Sequence, residues 1–150
     1  MQALVTAGAG FLLAVLWFDL MYDVQVLPYL PVEMPEQVVG SISGYYRRVT
    51  TEAGRMSRLV ALFMLVTMFG IVGQIVRSDG ALAARWLSLG LAVVPIGLAA
   101  TRTVPRAIRL GARNDSMVVQ AAAARTIFRE HVFCLCSIAT LLIVQLLWMG

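Results

Sequence analysis

Four apolar runs, each about 20 residues long, constrain this chain more than any other feature of its sequence. A helix of about 20 residues crosses the hydrocarbon core of a bilayer, because it rises about 1.5 Å per residue. Asp19 is the only charge in the first run, and the second and fourth runs carry none. The sequence therefore predicts a single all-α domain, an integral membrane four-helix bundle of two antiparallel hairpins, with spans at 3–22, 59–76, 82–101 and 132–149.

The composition agrees with a chain whose main solvent is lipid. It is 60% hydrophobic and 13% charged, with a mean hydropathy of +0.83, whereas soluble domains are about 45–50% apolar and about 25% charged. The net charge is +4, and all twelve basic residues are arginine. Because these arginines border the apolar runs, we expect them to contact anionic lipid headgroups, and we expect no nucleic acid partner.

The distribution of arginine predicts the orientation of the spans. The two long connections hold ten arginines and the short middle connection region holds two. Since arginine is enriched on the cytoplasmic side, we expect both long connections to be cytoplasmic and both termini to lie outside. The arginines of the long connections are Arg47, Arg48, Arg55, Arg58, Arg102, Arg106, Arg109, Arg113, Arg125 and Arg129, and those of the middle region are Arg77 and Arg85.

Both long connections are predicted to be helical. The second helix should begin near Pro35 and run continuously into the membrane, since proline suits a first helical position. The third should continue past Pro105 with a kink, and Gly111 is a candidate for its C-cap. The fourth should run from about Met117 to Met149 because its start is rich in alanine. The second and fourth helices are therefore expected to extend into the cytoplasm.

Asp19 and Asp23 are the first candidate site residues. They are four residues apart and share one helix face near the inner end of the first span. A carboxylate in a membrane helix is costly and indicates a function: a proton or cation site, or a contact to a partner helix. The alternative is a structural ion pair with Arg58, Arg102 or Arg129, which all border the inner ends of spans.

A second candidate is a stripe of arginines at spacings of four, three and four residues, which lie within a narrow arc of a helix. Such a stripe suits a lipid headgroup, phosphate or carboxylate, or it anchors the topology by snorkelling. Arg125 and Arg129 would strengthen the ligand interpretation if the fold placed them opposite. The stripe consists of Arg102, Arg106, Arg109 and Arg113.

No metal or cofactor is predicted from the remaining polar residues. His131 and Cys134 share a helix face, but Cys136 points elsewhere, so the three cannot close one tetrahedral site. One histidine cannot supply both ligands of a bis-histidine haem. Phosphate-binding loops, nucleophile elbows and zinc-protease motifs are all missing from the sequence.

Small residues lie at helix-packing spacing in the second and third spans. Because glycine lets membrane helices approach closely, these positions favour either internal packing or docking of a partner helix. They are Gly70, Gly73, Gly90 and Gly97.

The layout resembles small four-helix bacterial membrane proteins of anthrone-oxygenase-like and related uncharacterised families. The resemblance extends over all four spans as architecture, and the residues that carry it are Asp19, Asp23 and the Arg125–Arg129 segment. It implies a bacterial inner membrane and a cofactor-independent oxygenase.

Three functions follow as hypotheses. The first is a non-catalytic accessory subunit that packs against a larger membrane complex or against itself. The second is a binding or transport module for an anionic lipid or small acid, using Asp19, Asp23 and the arginines. The third is a small membrane enzyme with a pocket around Tyr22, Glu130 and His131.

Overall fold

The computed structural model describes residues 1–148, and in that range it contains helices and no strand. This confirms the predicted all-α class. The predicted end of the fourth span at Met149 lies outside the described residues. The α-helices are α1 (Gln2–Asp23), α2 (Glu36–Arg47), α3 (Gly54–Arg77), α4 (Leu82–Leu98), α5 (Val104–Ala112) and α6 (Met117–Trp148). A 3₁₀ segment (Val24–Tyr29) follows α1, and π-helical segments follow α2 (Arg48–Glu52) and α4 (Ala99–Thr103).

Four helical segments are long and apolar enough to cross a membrane, as the sequence predicts. They are Gln2–Tyr29, Gly54–Arg77, Leu82–Ala112 and Met117–Trp148. Each of them contains one of the predicted apolar runs as far as the structure describes it. The chain therefore has the helices of a multi-pass membrane protein.

The long helices pack around an apolar core. α1 packs against α3 and α6, and α4 packs against the same two helices. A Cβ atom at Gly70 would lie 2.7 Å from the Val5 Cγ2 methyl, and one at Gly8 would collide with the Thr67 hydroxyl. Glycine at these positions therefore allows α1 and α3 their close approach. The buried core residues are Val5, Ala9, Leu12, Ile71, Ala92, Ile138 and Leu141.

A second apolar cluster lies beyond the C-terminal end of α1. It is formed by α2, α5, the 3₁₀ segment and the N-terminal half of α6, and we call this part the cap. α2 and α5 approach so closely that a Cβ atom at Gly111 would lie 2.7 Å from the backbone nitrogen of Arg47. The buried residues of the cap are Val26, Met34, Val39, Ile42, Tyr46, Ala107, Leu110, Ala121, Ala124 and Ile127.

The prediction of one continuous helix from Pro35 into the second span is wrong. Ala53 leaves the helical conformation, with φ −96° and ψ 51°, and a new helix begins at Gly54. The break redirects the chain so that α2 lies against α5 and buries Val39, Ile42 and Tyr46 in the cap. Burial of this apolar face favours the bent path over a straight helix.

The third helix continues past Pro105, as predicted, and its irregularity is the π-helical segment directly before α5. Gly111 is not its C-cap, so that prediction is wrong. The left-handed position after α5 is instead occupied by Arg113, with φ 54°. Gly111 lies within the last turn of α5, where its missing side chain allows the contact with α2.

Candidate functional site

A buried polar cluster lies where the C-terminal end of α1 meets the cap. Tyr46 donates a hydrogen bond of 2.6 Å to Oδ1 of Asp23, and Oδ2 of Asp23 lies 2.7 Å from Nδ1 of His131. Tyr45 donates a hydrogen bond of 2.6 Å to Oδ1 of Asp19. The two aspartates share one face of α1, as predicted, and that face is turned toward α2 and α6.

The contacts of Asp23 determine which nitrogen of His131 carries the proton of a neutral ring. An ionised carboxylate only accepts hydrogen bonds, so Nδ1 must donate to Asp23. Nε2 is then the basic nitrogen. It lies 3.9 Å from Oδ2 of Asp19, the oxygen that Tyr45 does not occupy. The ring can therefore take up a second proton on the side that faces Asp19.

The two tyrosines serve this cluster as hydrogen-bond donors. Burial, reinforced by the negative charges of Asp23 and Asp19, raises the pKa of Tyr46 well above its ordinary value. Burial and the neighbouring Asp19 raise the pKa of Tyr45 in the same direction. Tyr22 stacks on Tyr45 with ring centroids 4.0 Å apart. Both hydroxyls therefore keep their protons and hold the carboxylates in fixed positions.

An apolar cavity of about 110 Å³ adjoins the cluster and is lined by residues from all four long helices. A dry protein cavity of about 150 Å³ accommodates benzene, so this smaller one encloses most of one small ring. Its polar wall includes Asp19, Thr103, His131 and Cys134. Its apolar wall includes Leu12, Leu16, Val60, Met64, Pro95 and Ile138.

The charge at this wall is negative. When ionised, the carboxylate of Asp19 and that of Asp23, which contacts His131 behind the wall, have formal charges of −1 each. His131 contributes 0 when neutral or +1 when protonated, which gives a sum of −2 or −1. No arginine lines the cavity within the described residues. Since uncompensated charge is costly in an apolar setting, the cavity favours a cation or a neutral hydrogen-bond donor over an anion.

The predicted arginine partners of the aspartates are not there. In the part of the chain that the structure describes, Arg58, Arg102 and Arg129 form no ion pair with Asp19 or Asp23, and their side chains are exposed. The prediction of such an ion pair is therefore wrong. α2 and α6 occupy the space beside α1 and bring tyrosine and histidine there.

The arginine stripe extends from the π-helical segment before α5 to Arg113, the residue directly after α5. In the described chain it forms no ion pair with Asp19 or Asp23. Arg106 donates a hydrogen bond of 2.6 Å to Glu130, which also accepts one of 2.8 Å from Thr103. The two stripe residues further along are also held by carboxylates. Arg109 lies 3.1 Å from Asp115, and Arg113 lies 3.2 Å from Glu36.

Arg125 does not lie opposite this stripe. Its guanidinium donates to the backbone carbonyl oxygens of Tyr29, at 2.9 and 3.1 Å, and of Val32, at 2.7 Å. It thus fastens the segment after α1 to α6. Arg129 is exposed. Arg125 and Arg129 therefore do not form, together with the stripe, the shared anion site that their placement opposite it would have favoured.

The four predicted packing glycines divide into two pairs. Gly70 and Gly73 face α1, where a Cβ atom at Gly73 would lie 3.0 Å from the sulfur of Met1. Gly90 and Gly97 on α4 have open space beside them, since a Cβ atom at either would meet nothing within 4 Å in the described chain. Internal packing therefore accounts for the first pair alone.

Tyr45 and Tyr46 are the site residues that sequence reasoning missed. The sequence places Tyr45 on the apolar face of α2, where an aromatic residue looks like part of a core. The one available signal was that two membrane-boundary carboxylates need buried donors. Of the three residues expected around an enzyme pocket, Tyr22, Glu130 and His131, the wall of this cavity includes His131 alone.

Among residues 1–148, no three His, Cys, Asp or Glu side chains form a group suited to a metal ion. Comparison of the chain with protein-family models, with curated proteins and with solved structures found no match. The geometry of the cluster and its cavity is therefore the basis for assigning a function.

Proposed function

We propose that this chain is a membrane binding or transport module for a small apolar molecule that carries a positive charge, and that it exchanges a proton for that molecule. The observation that carries the proposal is the wall of the cavity. There His131, fixed by Asp23 through Nδ1, presents Nε2 beside the unoccupied Oδ2 of Asp19.

Each residue has a defined part in the exchange. Without ligand, His131 is protonated on both nitrogens and its charge is balanced by the two aspartates. An ammonium group that enters the cavity donates to Oδ2 of Asp19, and the apolar body of the ligand occupies the space between the helices. Nε2 then releases its proton to solvent. The charge of the site stays the same, because one cation replaces another.

The same proposal places the four helical segments in a bacterial inner membrane as a four-helix bundle. Both termini are then outside, and the cap, with the inner ends of α3 and α6, lies in the cytoplasm. The excess of arginine in the long connections supports this orientation. Large apolar side chains project outward from the long helices, as lipid contact requires. The cluster then lies at the inner boundary of the membrane.

Three probes of the same size and different charge test the proposal: benzylamine, benzyl alcohol and benzoate. Binding to the purified protein in mild detergent is measured by calorimetry in two buffers of different ionisation enthalpy. We expect benzylamine to bind most tightly and benzoate least. We also expect benzylamine alone to release a proton, which appears as a difference in heat between the two buffers.

Asp19→Asn provides the matched perturbation, because it keeps the shape and removes the charge. A charge-assisted hydrogen bond contributes about 1.5–3 kcal/mol, so benzylamine should bind at least about tenfold more weakly. Glu52→Gln, an exposed carboxylate on the π-helical segment after α2, is the control and should change nothing. Equal binding of benzoate and benzylamine, or binding of none of the three, would refute the proposal.

An interaction subunit is a second candidate, and α4 favours it. Gly90 and Gly97 leave open space on this helix, beside the exposed side chains of Trp86, Val93 and Val94. A partner helix or a second copy could approach closely there. Gly90→Leu with Gly97→Leu should abolish a complex that survives mild detergent. A chain that migrates as a monomer from native membranes argues against this candidate.

A further inference from the structure

We propose that the groove between α5 and α6 binds one singly charged phosphate ester, such as the headgroup phosphate of an anionic phospholipid. The groove is open and has a volume of about 440 Å³. It is separate from the cavity beside Asp19. One side of the groove is lined by Arg102, Arg106, Arg109 and Leu110, and the other by Val119 and small residues of α6, with Asp115 in the turn between the two helices.

The spacing of the arginines brings their side chains to one groove. Arg102, Arg106 and Arg109 follow one another at four and three residues, and α5 turns its opposite face, with Ala107 and Gly111, into the cap. Across from them, Ala122 and Ala123 of α6 leave room because their side chains are short. The basic face therefore borders an open space rather than another helix.

The charge of the groove matches that of a phosphodiester. Three arginines contribute +3, and the carboxylates that contact them, Asp115 and Glu130, contribute −2, which leaves +1. A phosphodiester carries one negative charge. Within residues 1–148, Arg102 forms no ion pair. Arg106 and Arg109 use only some of their five N–H donors on their carboxylates.

The surroundings favour a phosphate that is attached to lipid. Exposed apolar side chains flank the arginines, namely Ile108 on α5 and Val118 and Val119 on α6. Basic and apolar groups side by side on a helix surface are typical of a segment at the membrane interface. A headgroup in the groove would leave its acyl chains beside these residues. A free phosphate has no apolar part that could contact these side chains.

Native mass spectrometry of the detergent-purified protein tests the proposal. The probes are dioleoylphosphatidylglycerol, dioleoylphosphatidylcholine and inorganic phosphate. The variant is Arg102→Ala with Arg109→Ala, which leaves the Arg106–Glu130 pair in place. The control is Arg48→Ala with Arg55→Ala, which removes two exposed arginines elsewhere.

We expect the wild type and the control to retain phosphatidylglycerol equally, and the variant to bind it about 25-fold more weakly. This corresponds to about 1 kcal/mol for each basic residue near an anionic lipid. If inorganic phosphate displaces the lipid and depends on the same arginines, the phosphate site stands and its source is soluble. Equal retention by the variant and the control would overturn the proposal, as would equal binding of phosphatidylcholine by the wild type.

Discussion

Asp23 connects the long helices to the cap, so its removal should destabilise the whole chain. The side chain is fully buried and has two partners, Tyr46 and His131, on different helices. Asp23→Ala removes the acceptor that both buried partners share and leaves them only their mutual contact, 3.4 Å from the Tyr46 hydroxyl to Nδ1 of His131. Breaking a buried charged pair costs about 3–5 kcal/mol, and each hydrogen bond to a charged group contributes about 1.5–3 kcal/mol. We therefore expect the free energy of unfolding to fall by about 4 kcal/mol.

Asp23→Asn separates the charge from the hydrogen bonds. Its amide oxygen can still accept from Tyr46, but its amide nitrogen donates to His131, so Nδ1 becomes the acceptor and the proton moves to Nε2. The loss of stability should then be only about 1–2 kcal/mol. Benzylamine should no longer release a proton on binding, because Nε2 no longer loses one.

Equilibrium unfolding in mixed micelles of mild detergent and sodium dodecyl sulfate measures both variants. Tryptophan fluorescence follows the transition, since Trp17, Trp86 and Trp148 lie near the helix ends. Glu52→Ala is the control, because the contact of Glu52 with Arg47 is exposed and such pairs contribute about 0–1 kcal/mol. If Asp23→Ala costs no more than Glu52→Ala, the connecting role of Asp23 is refuted.

Three further predictions use the same unfolding assay. Gly70→Val should lower the free energy of unfolding by at least about 2 kcal/mol, because the new side chain would overlap α1. Gly90→Val is its control and should change that free energy little, since open space lies beside Gly90. Equal effects of the two variants would contradict the packing of α1 on α3. Gln145→Leu should lower the free energy of unfolding by about 1–3 kcal/mol, because it leaves the buried side-chain amide of Gln74 without its 2.7 Å acceptor. A stability equal to that of the wild type would count against the hydrogen bond between these two glutamines. Above about pH 10 the unfolded chain ionises its tyrosines while Tyr46 keeps its proton in the fold, so stability should fall with rising pH. Tyr46→Phe should reduce that fall by about 1.4 kcal/mol per pH unit, and an unchanged slope would contradict the raised pKa.

Much of the fold is predictable from the sequence because the relevant forces are local. About 20 apolar residues in a row are sufficient to specify a spanning helix, whatever lies elsewhere in the chain. The start of α6 at Met117 and the continuation of the third helix past Pro105 follow from local composition in the same way. The break at Ala53 was missed, because its cause is the packing of α2 on α5 rather than any residue nearby.

In the candidate site, too, some features follow from the local sequence and others from tertiary packing. The spacing of Asp19 and Asp23 determined by itself that the two carboxylates share a face at the C-terminal end of the first span. Only the tertiary structure decided what they face. His131 is 108 residues from Asp23 along the chain, and Tyr46 is 23 residues away. By depth alone the arginines at the same boundary were equally good partners. The packing of α2 and α6 against α1 placed an uncharged donor, Tyr46, and a titratable ring, His131, there instead, and the arginines are exposed. Helix packing, unlike helix formation, depends on residues far apart in sequence.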